Sequence, residues 1–140
     1  MKSLRRFSIS MNADLLRQLD AMARSKGYAS RSQAVADMVR AQLVEHLAES
    51  GSQEIAGTLT LVYDHHRRGI QAALTEAQHD HNRLVVAVLH VHLNHNHCME
   101  VLALRGRAGA VKEVADRLLT IKGVKHGKLT VTTTGREFRR

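Results

Sequence analysis

Residues Arg5 to Met11 alternate, with Phe7, Ile9 and Met11 on one side and Arg6, Ser8 and Ser10 on the other, which is the period of a half-buried β-strand. No second strand-like run follows within hairpin reach, because the chain passes directly into helical spacing. A lone strand leaves its backbone N–H and C=O groups unpaired, so this one needs a partner from elsewhere, most simply the same strand of a second subunit. The single cysteine, Cys98, rules out an internal disulfide, so stability must rest on packing and subunit association.

After the strand, Asn12 is suited to cap a helix whose apolar residues Leu15, Leu16, Leu19, Met22 and Ala23 recur at helical spacing, and Gly27 ends it. Ser30 and Ser32 are candidate caps for a second helix, with Val35, Met38, Val39, Gln42 and Leu43 on one stripe. The first module, residues 1–49, thus reads as strand, helix, turn, helix. Residues 50–53, containing Ser50, Gly51 and Ser52, break the pattern and read as a short flexible joint.

Beyond the joint, from 54 to 140, the spacing changes. Ile55 to Tyr63 is strand-like and Arg67 to Gln78 helical; Leu84 to Leu93 and Val101 to Leu104 are strand-like, Val111 to Ile121 helical, and Leu129 to Thr134 a last strand. The order βαββαβ is that of the ferredoxin-like fold, so the chain as a whole is α+β. Two helices would cover one sheet face and leave the other for self-association, from which a homotetramer, a dimer of dimers, follows.

Six of the ten histidines lie between His79 and His97, and two of them interrupt the apolar strand Leu84 to Leu93. His90 and His92 are two apart and so share a strand face, about 6.5 to 7 Å apart at Cα, close enough for one ion to bridge them. The segment Asn94, His95, Asn96, His97 has turn character, and a hairpin there folds Cys98 back beside His92. A lone buried histidine is usually hydrogen-bonded core, and a lone cysteine a small apolar filler. Three such groups converging in an apolar strand need a common partner, and a transition metal fits. Three ligands leave the ion incomplete: zinc would take a fourth tetrahedrally, whereas Ni(II) and Cu(II) favour tetragonal or square-planar nitrogen donors. His79 and His81 sit at the end of the preceding helix, His65, His66 and His126 read as surface or turn residues, and His95 and His97 as loop residues or a weak accessory site.

Charge and composition narrow the partners. Lys and Arg number 21 against 13 acids, a formal +8, which attracts polyanions, and Lys2, Arg5 and Arg6 all precede the first acid, Asp14. Without Trp there is no large stacking platform of the kind used on single-stranded nucleic acid. No apolar run is long enough for a membrane helix and no signal-peptide pattern opens the chain, so the cytoplasm is the expected location and no membrane partner is expected. An enzyme would need an acid or base beside the metal, and only Glu100 has suitable spacing; no phosphate loop, nucleophile elbow or HExxH segment is present.

The first 49 residues resemble the ribbon-helix-helix DNA-binding proteins in element order and in the segment GYASRSQAV, Gly27 to Val35. That resemblance implies dimers whose paired strands enter the major groove of double-stranded operator DNA. It puts Arg6, Ser8 and Ser10 on the base-facing side and the amides around Ser30, Arg31 and Ser32 against a phosphate. With HVHLNHNHC, His90 to Cys98, and GVKHG near the C-terminus, most of the chain resembles the nickel-responsive transcriptional regulators. The resemblance implies an ACT-like C-terminal module that tetramerises, and one square-planar Ni(II) per subunit held by His90, His92 and Cys98 with His79 of a neighbour. It also implies repression of nickel uptake when the protein is nickel-loaded. Ser8 and Ser10 stand where relatives often carry threonine, and Gln33 where relatives commonly carry an acid that, with the equivalent of Asp37, helps hold a further ion. The competing expectation is a ribbon-helix-helix regulator whose ACT-like domain senses a small molecule such as an amino acid, with no metal switch.

Overall fold

A computed structural model describes residues 3–49 and 51–136. Contacts divide the chain into two compact units that meet between Leu43 and Val44.

The first unit holds helix α1 (Ala13–Ser25) and most of helix α2 (Arg31–Glu49). Asn12 Oδ1 accepts the Asp14 N–H at 2.8 Å and starts α1, and Gly27 ends the turn after it in the left-handed region, at φ 77°. Ser30 Oγ accepts the Gln33 N–H at 3.1 Å, while the Gln33 side chain accepts the Ala29 N–H at 2.8 Å. This reciprocal cap fixes the entry to α2. Residues 3–12 lie outside any regular element, and their side chains are exposed, Phe7 by 77% and Ile9 by 54%. That is what a strand without a ladder partner must do in a single chain. Among the described residues of this unit only Ala23 and Ala34 are buried, whereas Leu15, Met38, Val39 and Leu43 remain exposed. A single copy of the module therefore leaves much of its apolar surface uncovered.

The second unit contains strands β1 (Glu54–Asp64), β2 (Val85–His92), β3 (His97–Arg107) and β4 (Val124–Thr133), with helices α3 (Ile70–Asp80) and α4 (Ala108–Leu119). The strands form one antiparallel sheet in the order β2-β3-β1-β4, and the element order is the expected βαββαβ. Ile55, Leu59, Leu61 and Tyr63 of β1 and Cys98, Leu102 and Leu104 of β3 face Ile70, Leu74 and Ala77 of α3 and Val111, Val114, Ala115 and Leu118 of α4 in one buried cluster. β2 lies at the sheet edge and leaves Val86, Val88 and Leu89 exposed.

Several boundaries differ from the sequence expectation for physical reasons. α3 begins at Ile70 rather than Arg67, because Gly69 enters it at φ 82° and residues 65–69 form turns. β3 begins at His97, four residues before Val101, since cross-strand pairing with both β2 and β1 carries its polar end. β4 starts at Val124 rather than Leu129 for the same reason, being paired to β1 as far as Tyr63. Segment 51–53 is tied to the start of α4: Gly109 N–H donates to Gly51 O at 3.1 Å and Ala108 N–H to Gln53 O at 2.9 Å. Lys112 Nζ adds a bond to Ala48 O at 2.8 Å, at the end of α2.

Candidate metal centre

The hairpin joining β2 and β3 is built by its asparagine. Asn94 Oδ1 accepts the backbone N–H groups of Asn96 and His97, both at 2.9 Å, and Leu93 N–H donates to His97 O at 3.0 Å. This turn fixes a register in which His92 lies opposite Cys98 and His90 opposite Glu100. A slip of one residue would move both imidazoles to the other face. In the observed register the donor atoms of His90, His92 and Cys98 all lie within 4.8 Å of one another. Among the described residues, no other group of three His, Cys, Asp or Glu side chains lies close enough to share an ion.

Cys98 is buried and the two histidines are exposed, so the site sits at the rim of the core. Cys98 Sγ is 3.3 Å from His92 Nδ1, and the rings of His90 and His92 are 5.0 Å apart. A sulfur with two imidazoles suits a borderline or soft divalent ion, nickel, copper or zinc, and is a poor match for the oxygen-seeking Mg2+ or Ca2+. The residues present thus fit a transition metal.

Three further side chains hold this trio, and spacing alone does not reveal their arrangement. Glu100 Oε1 lies 3.3 Å from His90 Nδ1, and Glu100 Oε2 accepts the Gln78 side-chain N–H at 2.9 Å. An ionised carboxylate only accepts, so the His90 ring proton sits on Nδ1 and its Nε2 lone pair is left for a metal. The Tyr63 hydroxyl also lies 3.3 Å from His90 Nδ1. Burial, together with the charges of Glu100 and Cys98, pushes the Tyr63 phenol up to about 12, which keeps it protonated.

The remaining histidines separate by environment. His79 stands exposed in the last turn of α3, outside the trio. His81 Nε2 lies 3.2 Å from Arg117 Nη1. His65 and His66 occupy the turn after β1 and brace the hairpin: His65 N–H donates to Asn96 O at 2.9 Å, and His66 Nε2 lies 3.1 Å from His95 O. His97 Nδ1 is 3.1 Å from Asn94 Oδ1, and His126 is exposed on β4.

In the first unit, Arg6, Ser8 and Ser10 are exposed, as are Ser30, Arg31 and Ser32 at the start of α2. The Arg31 guanidinium is engaged within the unit, donating to both carboxylate oxygens of Asp20 at 2.7 and 2.8 Å. That fork holds the Asp20 carboxyl below its ordinary value. Asp37 accepts the Tyr28 hydroxyl, and Gln33 is occupied by its capping bond. Among the described residues no helix is long and apolar enough to cross a membrane.

Both units match known families. Residues 5–46 match the ribbon-helix-helix proteins of the copG family, and residues 56–132 match the NikR C-terminal nickel-binding domain. A relative from Geobacter metallireducens is 52% identical over 133 residues, covering 95% of this chain and 96% of its own. One from Solibacter usitatus is 47% identical over 139 residues, covering 99% of this chain and 100% of its own. One from Thermococcus onnurineus is 46% identical over 133 residues, covering 95% and 96%. All three are assigned as nickel-responsive regulators. Among solved structures, an uncharacterized protein of Thermotoga maritima superposes with a TM-score of 0.53 at 17% identity, covering 58% of this chain and all of its own, a likeness of fold alone.

Proposed function

This chain belongs to the family of nickel-responsive regulators, proteins of transcription control rather than enzymes, and we propose that it represses nickel uptake by binding operator DNA when nickel-loaded. The observation that carries this reading is the convergence of His90, His92 and Cys98 within 4.8 Å on one hairpin. The ligand set is these three with His79 of a neighbouring subunit, one Ni(II) per subunit. Domains run 1–49 for the DNA-binding module, 50–53 for the joint, and 54–140 for an ACT-like module that assembles a homotetramer, a dimer of dimers. The expected location is the cytoplasm.

The chain's own residues divide the work. His90 offers Nε2 because Glu100 holds its other nitrogen, and Cys98 gives up its proton to become a ligand. Gln78 ties the end of α3, which carries His79, to Glu100 in the hairpin's register. Bound nickel supplies a cross-link between the hairpin of one subunit and α3 of another. The assembly is switched only so far as its DNA-competent arrangement offers these four ligands together better than other arrangements do.

On the DNA side, a second copy covers Phe7, Ile9, Leu15 and Leu43 and completes the strand pair from residues 5–11. Arg6 then forks onto guanine, with Ser8 and Ser10 as shorter contacts, while the amides of Ser30, Arg31 and Ser32 cradle a phosphate. Metal analysis and absorption spectroscopy of the purified protein with added nickel, then DNA binding at fixed salt with and without the metal, test the scheme. A thiolate-to-nickel charge-transfer band and nickel-dependent binding are expected. Stoichiometric nickel with metal-independent DNA binding would remove the switch, and a DNA response to amino acids without bound metal would favour the small-molecule sensor.

A further inference from the structure

The end of α3 presents three metal donors in consecutive residues, His79, Asp80 and His81. Consecutive side chains at a helix end fan around the axis, so an ion arriving from a neighbouring subunit could meet any of them. The three are not equally available. Arg117 Nη2 donates to Asp80 Oδ2 at 2.9 Å, and Arg117 Nη1 donates to His81 Nε2 at 3.2 Å. A guanidinium has no acceptor, so His81 Nε2 must accept and the ring proton sits on Nδ1. Neither nitrogen of His81 then has a free lone pair, and the Asp80 carboxylate is already paired. The His79 ring is exposed and has no hydrogen-bond partner among the described residues.

We infer that Arg117 is a positioning and specificity-determining residue, withdrawing Asp80 and His81 from the ligand pool so that His79 is the one donor this helix end offers. The inference rests on the reading of His79 as the cross-subunit ligand. Arg117 is well placed for the task, because the fully buried Val114 and Leu118 beside it anchor its helix in the core. Its positive charge also sits at the negative end of the α3 dipole, which favours the helix terminus in this form. With Arg117 removed, a carboxylate oxygen and a second imidazole become free one and two residues from His79. The neighbouring site then has rival ligand sets, including oxygen-containing ones that suit nickel's thiolate and imidazole environment less well.

The test uses four full-length variants, H79A, R117M, D80N/H81A and D80N/H81A/R117M, with nickel titrated against a competing chelator and followed by the thiolate-to-nickel absorption band. Met keeps the stem of Arg117 without its donors. R117M is expected to turn a single-phase titration into two phases with a mixed absorption spectrum, as ligand sets containing Asp80 or His81 populate beside the His79 set. D80N/H81A should behave as the unaltered chain. D80N/H81A/R117M should return the titration to one phase with the original spectrum, which a purely structural role for Arg117 would not produce. An R117M protein with a single-phase titration and unchanged spectrum overturns the inference, as does a triple variant that still titrates in two phases. H79A separates the two levels: an unchanged spectrum there removes His79 as a ligand, whereas an altered H79A beside an unaltered R117M removes only the role of Arg117.

Discussion

Gln78 donates to Glu100 across 22 residues of sequence, and Gln78 is the residue before His79. The carboxylate that orients His90 within the hairpin therefore also fixes the end of α3. One side chain joins the donor set of its own subunit to the donor proposed for the next.

Replacing Glu100 by Ala should accordingly weaken nickel binding by about 10- to 100-fold, since it frees the His90 ring and releases Gln78 together. Helix and strand content should be unchanged, as Glu100 is not part of the apolar cluster. Chelator competition measures the affinity and circular dichroism the fold. Wild-type affinity in this variant would mean that His90 is oriented by other contacts.

Cys98→Ser keeps the volume of a fully buried side chain and removes the thiolate. The protein should fold, lose the thiolate-to-nickel absorption, and retain only weak DNA binding that is insensitive to nickel and falls steeply with salt. A preserved nickel response in gel-shift or anisotropy measurements would contradict the proposed ligand set.

Tyr63 predicts a feature of the alkaline titration. Its folded value of about 12 exceeds the ordinary 10.0, so the stability linked to it is fully present below pH 10 and is lost as pH rises toward the folded value. Tyr28 is also raised, by its bond to Asp37. Tyr63 should therefore contribute no tyrosinate absorbance at pH 10, where unfolded protein titrates, and a Tyr28→Phe chain isolates its signal. A phenolate signal at pH 10 in a Tyr28→Phe chain, with native circular dichroism, would refute the burial of Tyr63.

The Asp20–Arg31 fork acts at the other end of the pH scale. Because the folded carboxyl lies below its ordinary 3.8, its contribution is present above that value and is lost as pH falls through the lowered one. Asp20→Asn should flatten the decline of thermal midpoint between about pH 5 and pH 3 while changing little at pH 8. Both groups are largely solvated, so the effect should also shrink with salt. A midpoint profile identical to that of the unaltered chain would show the fork to be energetically silent.

What could be read in the sequence was local. His90, His92 and Cys98 come together through a two-residue period and an asparagine-rich turn, both written within nine consecutive residues, and the hairpin has that form. The caps at Asn12 and Ser30 were legible for the same reason. The beginnings of β3 and β4 were not, because His97, Glu100, His126 and Lys128 are polar and are carried into strands by pairing with β1 and β2 rather than by their own preference. Tyr63, Gln78 and Glu100 meet around His90 from three separate elements, and only the sheet order brings them together. Residues 5–11 alternate as a strand yet form none here, since none of the described strands pairs with them.

The position of β2 at the edge of the sheet has a consequence for aggregation. Each newly made subunit carries an open sheet edge with Val86, Val88 and Leu89 exposed along it and Leu93 just beyond. Such an edge is a template for indiscriminate strand addition. A single copy of the chain is therefore prone to aggregate through this edge unless something covers it.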